Sequence, residues 1–234
     1  HCITTRKDLL CFNLELHKGE VLGIGGLSEC GMHTVGKALF GYEKILDGKV
    51  TVGAKQTVVK NPETAIANGI AYTSKDRDHE SLGLAGSIRD NIASTGYYFN
   101  RIFGPIISFG KEKKFVQNQI DTLELKCASQ YHSVNTLSGG NKQKVVFGKW
   151  IGSEADVLIL DCPTRGIDIG VKASMYQLIY KMKKQGKSII LISEELPELI
   201  GMSDRILIMK DGKIVHEAMR SENPTEHDLI NYMI

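Results

Sequence analysis

Asp161 closes the apolar run Val157-Leu-Ile-Leu and is followed by Cys162, a proline and a Gly-Ile-Asp turn ending at Asp168. A carboxylate at the end of a buried strand usually holds something, often a metal. A second stretch, GGLSECGMHT (25–34), follows another apolar run, EVLGIGG (20–26), and leads into a helical pattern. Strand, Gly-rich loop, then helix is how a phosphate is cradled, because loop N–H groups and the positive helix end face the anion. A third stretch, Leu137-Ser138-Gly139-Gly140-Asn141, also opens a helix and is a second anion site by the same physics.

The working phosphate-loop motif is GxxxxGK(S/T), and two registers are available. From Gly31 the chain reads G-MHTV-G-K-A, which keeps Lys37 but opens the loop far from the strand and leaves a helix that meets Gly41 after a few residues. From Gly26 it reads G-LSEC-G-M-H, which starts at the strand and leaves a helix of about ten residues, a normal length. We adopt the Gly26 register, with candidate loop residues Gly26, Ser28, Glu29, Cys30, Gly31, Met32, His33 and Thr34. Met32 brings no charge, His33 is a poor ligand for magnesium, which prefers oxygen, and the Thr34 hydroxyl sits one position late. On the loop alone, a tight turn that holds no ligand is an equal reading. The stretch is not a dinucleotide fingerprint, since position 28 is Ser28 rather than glycine.

The elements that must position these residues are legible in the apolar pattern. EVLGIGG (20–26), VLILD (157–161) and SIILIS (188–193) are short apolar runs bounded by polar or Gly-rich sequence and predict buried strands. Between the last two, Met175, Leu178, Ile179 and Met182 share one helical face, so the pattern predicts a βαβ unit and a partly parallel sheet. Asp211-Gly212 and Asp47-Gly48 each predict a hairpin. Residues 85–150 lack strand patterning, and Phe115, Val116, Ile120 and Leu123 form a helical stripe there. Thr225 and Asp228 have capping-box spacing at the start of a terminal helix. The expected fold is α/β: a P-loop NTPase-like mixed sheet flanked by helices, with an inserted helical subdomain and an antiparallel β portion. The expected division is a core of residues 1–84 and 151–234, and a helical subdomain of residues 85–150.

The chain has 234 residues and a formal charge of +2, which points neither to nor away from a polyanionic partner. Its five cysteines are scattered and odd in number, which is no disulfide framework and fits a reducing compartment. Cys30 and His33 have CxxH spacing with no second pair near, too little to specify zinc. No apolar run approaches the ~20 residues of a bilayer span, and no signal peptide is visible. The chain opens on His1, so a fragment of something longer is expected.

LSGGNKQK (137–144), then hhhhD-x-P-T-x-G-x-D ending at Asp168, together with SIILIS, SDRILIMKDGKIV and GIAYTSKDR (69–77), resembles the nucleotide-binding domain of the ATP-binding cassette (ABC) family. The likeness covers essentially the whole chain. The finer resemblance is to the second cassette of the two-cassette ATPase subunits of bacterial ribose- and galactose-type importers, carried by Gly26–Thr34, Ser74–Arg77, Leu137–Lys144, Asp161–Gly170 and Ser203–Met209. It implies two cassettes facing head to tail, each ATP lying between the phosphate loop of one and the LSGG helix of the other.

The resemblance implies that five positions on the phosphate-loop side depart from the pattern. Met32 stands for the loop lysine, His33 for the hydroxyl residue, Lys75 for the magnesium-sensing glutamine, Cys162 for the glutamate base and Glu194 for the switch histidine. Asp161 remains as the expected magnesium holder. Ser138, Gly139, Gly140, Asn141 and Asp168 are intact on the lending side. A glutamate at position 162 would orient the attacking water, a task for which a thiol is an inferior base. The expectation is therefore a half with weak or absent binding of ATP and Mg2+ in its own site. It would be weak or inactive alone, and would lend its signature to the ATP of an amino-terminal cassette. Permease subunits and a sugar-binding protein are the implied further partners, at the cytoplasmic face of a bacterial membrane. Lys75 reads more readily as a solvated lysine of the charged run KDRDHE than as a replacement for the charge missing at Met32. Glu194 is expected to point elsewhere or to start a helix, SEELPEL. No aromatic residue between His1 and Cys11 offers a stack for adenine. Two alternatives stand beside this reading: a soluble tandem-cassette protein outside transport, and a regulatory or dimerisation module. The absence of basic arms argues against nucleic acid. The missing lysine and the LSGG argue against an independent P-loop kinase.

Overall fold

A computed structural model describes residues 3–5, 8–99, 108–153 and 155–234. In chain order the strands are β1 Thr4–Thr5, β2 Val21–Gly26, β3 Ile45–Asp47, β4 Val50–Val52, β5 Thr57–Val59, β6 Ile70–Thr73, β7 Val157–Asp161, β8 Ser188–Ile192, β9 Arg205–Lys210 and β10 Lys213–Met219. The α-helices are α1 Met32–Phe40, α2 Pro62–Ala67, α3 Ile88–Phe99, α4 Phe109–Thr122, α5 Gly139–Ile151, α6 Ile169–Lys184, α7 Leu196–Met202 and α8 Glu226–Met233. The chain divides into two compact units. One comprises the residues up to Tyr72, Asp156–Cys162 and Tyr176–Ile234; the other comprises Thr73–Ala155 and Pro163–Met175.

The first unit is built on a six-stranded sheet of order β10-β9-β2-β8-β7-β6. β2 runs parallel to both β8 and β9, and β7 runs parallel to β8. Strands covered on both faces read as continuous apolar runs. That is why VLGIGG and SIILI, buried at every position, were legible. β9 and β10 form the antiparallel edge, turned by Asp211 and Gly212 at φ 48° and 74°. Two positive φ values in a two-residue loop match the right-handed twist of the flanking strands. α1 lies close to the sheet. A Cβ built on Gly36 would stand 3.0 Å from both Ile192 Cδ1 and Tyr72 Cε2. Gly36 is thus a helix-packing glycine and not a loop glycine.

Three expectations are corrected. Asp47-Gly48 turns the chain but makes no hairpin: β3 pairs with β1, and β4 pairs with β5. The dipeptide specifies a reversal, and the partner is chosen by contacts distant in sequence. The terminal stretch doubles back through an Ile3–Phe12 bridge, and Cys11 is disulfide-bonded, which its scattered spacing did not suggest. Glu194 does not start a helix, since α7 begins at Leu196 with Glu195 at its cap. The capping box at Thr225 and Asp228 is present, each residue's side chain meeting the other's backbone N–H.

The second unit packs α3, α4 and α5 around Ile88, Ile92, Val116, Val145 and Val146, all essentially without exposure. Within it Glu112 is 0% exposed and accepts from Arg89 Nε. Arg89 also lies 5.7 Å from the Phe109 and Tyr131 ring centres. Removing one partner of a buried pair leaves the other charge uncompensated, a loss of about 3 kcal/mol. Glu112→Ala should therefore lower the unfolding free energy from urea titration markedly, whereas Lys113→Ala, on the exposed face of the same helix, should leave it within about 0.5 kcal/mol of the parent.

Candidate functional site

The loop and the ends of the central strands belong to the first unit. β2 ends at Gly26, and α1 begins at Met32 with Gly31 as its N-cap at φ 94°. Gly41, at φ 82°, ends the helix, which is nine residues long. The loop therefore opens directly at the strand, in the Gly26 register. No side chain caps α1, and its first turn carries no acidic residue. Gly31 lies tight against the preceding segment: a Cβ there would stand 2.4 Å from the Asp8 carbonyl oxygen. Thr34 Oγ1 donates to Asp8 Oδ2 at 2.7 Å, so the late hydroxyl is committed to that segment.

The loop side chains face several ways. Leu27, Ser28 and Glu29 are exposed, whereas Cys30 is buried, its amide donating to Leu27 O at 2.9 Å. Burial pushes the Cys30 thiol above its ordinary value. Met32 has no exposed surface at all. The residue expected at the lysine position thus packs into the core and does not reach the loop's open side.

The carboxyl ends of adjacent parallel strands gather the remaining groups, where ligands bind in open α/β sheets. Asp161, the last residue of β7, is 1% exposed. Its Oδ1 lies 2.7 Å from His33 Nδ1, and its Oδ2 accepts from Tyr72 OH at 3.4 Å. A carboxylate only accepts, so His33 Nδ1 carries the hydrogen. His33 Nε2 lies 3.3 Å from Glu194 Oε1, and that oxygen also accepts from Ser28 Oγ at 2.9 Å. Glu194 therefore points into the cluster, against the expectation that it would turn away. Its place is fixed by the preceding residue, Ser193, whose amide donates to Ile24 O at 3.0 Å. Cys162 follows Asp161 at φ 48° and is anchored by donation of its amide to Ile192 O at 2.8 Å. One ring nitrogen of His33, Cys162 Sγ and a Glu194 carboxylate oxygen all lie within 4.8 Å of one another.

The signature residues belong to the second unit. Leu137 precedes Ser138, which stands at the N-cap of α5 and makes no side-chain cap bond. Its Oγ instead accepts from Asn141 Nδ2 at 3.1 Å, while Asn141 Oδ1 accepts from the Lys126 amide at 3.0 Å. With no acidic residue in its first turn, the helix start presents the Gly139, Gly140 and Asn141 amides without a side-chain anion. Arg77 Nη1 donates to Gly139 O at 3.1 Å, and Asp78 pairs with Lys142 at 3.3 Å. Burial works against the charge on Asp78, yet hydrogen bonds from Arg77 and Lys142 hold its carboxyl below the ordinary value. The Asp168 carbonyl accepts from the Val171 and Lys172 amides and so opens α6. Lys75 is half-buried, between β6 and a π-helical turn at Arg77–Ser81.

Sequence reasoning missed Tyr72 and Asp8, and it missed the partner of Arg77. Tyr72 sits in a strand too mixed in composition to stand out. Asp8 acts partly through its carbonyl. Arg77 lay in a charged run with no sign of its partner.

Residues 9–165 match the protein family described as ABC transporter. The chain is 40% identical over 221 residues to a ribose import ATP-binding protein RbsA of Halalkalibacterium halodurans, covering 94% of this chain and 44% of that protein. It is 39% identical over 228 residues to a galactose/methyl galactoside import ATP-binding protein MglA of Clostridium tetani, covering 97% and 45%. It thus spans less than half the length of these relatives. Among solved structures, a dimeric post-hydrolysis state of the ATP-binding cassette MJ0796 bound to ADP and Pi superposes with a TM-score of 0.81 at 20% identity, covering 94% of this chain and 96% of that one. The ADP conformation of the cassette MJ1267 superposes with a TM-score of 0.77 at 20% identity, covering 99% and 95%.

Proposed function

The chain belongs to the ABC transporter family, and from that premise we propose that it is one of two cassettes in the ATP-binding subunit of a bacterial sugar importer. In this reading its own phosphate-loop side is degenerate, and its LSGG helix is lent to the ATP of an amino-terminal companion. The ribose and galactose import names of its relatives, and their roughly twofold greater length, support that placement. Residues 1–84 and 151–234 serve as the nucleotide-binding core, and residues 85–150 carry the signature. The companion cassette, membrane permease subunits and a sugar-binding protein are the proposed partners. The proposed location is the cytoplasmic face of the membrane; among the described residues no helix is long and apolar enough to cross it.

The observation that carries this reading is the closure of Asp161 by His33 at 2.7 Å. Magnesium is a hard cation that keeps oxygen ligands in near-octahedral geometry. Here both oxygens of the expected magnesium carboxylate are engaged, one by the His33 imidazole and the other by the Tyr72 hydroxyl. Buried Met32 supplies no charge to a β- or γ-phosphate. These residues do not fit Mg–ATP, so binding of ATP and Mg2+ in this chain's own site is weak or absent. The other side is equipped to act in trans. Ser138 Oγ and the Gly139, Gly140 and Asn141 amides donate to the companion's γ-phosphate, and Arg77 fixes the backbone that presents them.

The test is ATP hydrolysis by the purified chain alone. Turnover should not exceed background with Mg2+, and Asp161→Asn should change nothing. Metal-dependent turnover that Asp161→Asn abolishes would refute the reading.

A further inference from the structure

We propose that His33, Cys162 and Glu194 form a binding site for a thiophilic divalent transition-metal ion, zinc being the best fit, with Asp161 as the positioning carboxylate behind the histidine. The donors are His33 Nε2, Cys162 Sγ and a Glu194 carboxylate oxygen, with the fourth position left to water or an oxygen ligand.

The three donor residues lie on α1, just after β7 and just after β8, and one ring nitrogen of His33, Cys162 Sγ and a Glu194 carboxylate oxygen lie within 4.8 Å of one another. Tetrahedral zinc with bonds of about 2.0–2.3 Å places its ligand atoms roughly 3.3–3.8 Å apart. The cluster needs a closure of at most about 1.5 Å, within reach of side-chain torsions. Of the two ring nitrogens, Nδ1 donates to Asp161 Oδ1 at 2.7 Å, which turns Nε2 toward Glu194 Oε1 at 3.3 Å. A metal-bound histidine almost always gives its other N–H to a carboxylate, which fixes the tautomer and raises the basicity of the ligating nitrogen. That second shell is already in place. Ser28 Oγ donates to Glu194 Oε1 at 2.9 Å and orients the remaining ligand in the same way. The donor set then selects the ion. Imidazole, thiolate and carboxylate together suit zinc or cobalt(II), whereas magnesium and calcium take oxygen only. Metal binding here requires no nucleotide, so the site goes beyond the function proposed above and stands apart from it.

Cobalt(II) titration of the purified, reduced protein reads the thiol directly. One equivalent should produce a thiolate-to-cobalt charge-transfer absorption, and one equivalent of zinc should abolish it. The band should be absent in Cys162→Ser. In competition with a chelating dye, zinc affinity should fall at least about tenfold in His33→Ala, in Glu194→Gln and in Asp161→Asn, the last with the band retained. Zinc at a hundredfold excess over its Kd should raise the parent's melting temperature by about 5–11 °C, a readout needing no variant. A missing band, a band that survives Cys162→Ser, zinc affinity unchanged in His33→Ala, or no thermal shift would each overturn the site. Mg-dependent ATP turnover through Asp161 would instead defeat the proposed function; it is read in a hydrolysis assay and leaves the cobalt–thiolate band as it is, so the two failures are distinguishable.

Discussion

Gly139→Asp in the full-length protein should lower ATP hydrolysis by about a hundredfold or more. The loss expected on removing a preorganised donor to a developing anion is ~10²–10³ in rate. A carboxylate at this position both repels the γ-phosphate and occupies the amides meant for it. The substitution should leave the fold standing. Gly139 opens α5, whose first turn carries no acidic residue, and a carboxylate there complements the helix dipole. A Cβ would stand 3.2 Å from Gly166 O, a tight contact that a small local shift can relieve, and 3.6 Å from Arg77 Nη2. Asp161→Asn in the same protein should leave hydrolysis within about threefold, because the pocket it disturbs performs no turnover. Equal losses in the two variants would contradict a lending role, and a Gly139→Asp protein with near-parental hydrolysis would remove it.

Gly31→Ala should destabilise the chain by about 3 kcal/mol. Its φ of 94° lies where L-residues pay roughly 1–2 kcal/mol. A Cβ there would stand 2.4 Å from the Asp8 carbonyl oxygen, and one on Gly212 only 2.3 Å from the same atom. The Asp8 carbonyl is thus wedged between two Cα positions, with no flexible side chain to yield, and overpacking of this kind adds a further ~1–3 kcal/mol. At roughly 2–4 °C per kcal/mol for a chain of this size, the melting temperature should fall by about 6–12 °C. Gly53→Ala is the control: its φ is 71°, but nothing lies within 4 Å of its Cβ position. It should lose only the strain, about 1 kcal/mol. Equal shifts in the two variants would show that the contact with Asp8 contributes nothing.

The parts of the fold legible in the sequence are those whose signal is local. β2, β7 and β8 are covered on both faces and so spell apolar runs. The Asp211-Gly212 hairpin is set by two positive φ angles that its residue types favour. The loop register followed from the strand end at Gly26 and the helix stop at Gly41, and α1 lies between them. What escaped depends on contacts distant in sequence. Asp47-Gly48 announced a reversal but not that its flanking strands pair elsewhere. Glu194 looked like a helix residue because SEELPEL carries helix-start signals. Its direction is decided by Ser28 and His33, over 160 residues away in the chain. At the site, residue types suggested a missing loop lysine, and the family resemblance implied a missing glutamate. They did not show that Met32 turns into the core or that His33 takes up Asp161, since burial and pairing arise only once the strand ends meet.

The measurement that bears most directly on the central claim is Mg-dependent ATP hydrolysis by the full-length protein after the companion cassette's own loop lysine has been replaced, with this chain left intact. Hydrolysis should fall to background, because the remaining pocket has neither the lysine nor an open magnesium carboxylate. Turnover that persists, and that disappears when Asp161→Asn is added, would contradict the assignment.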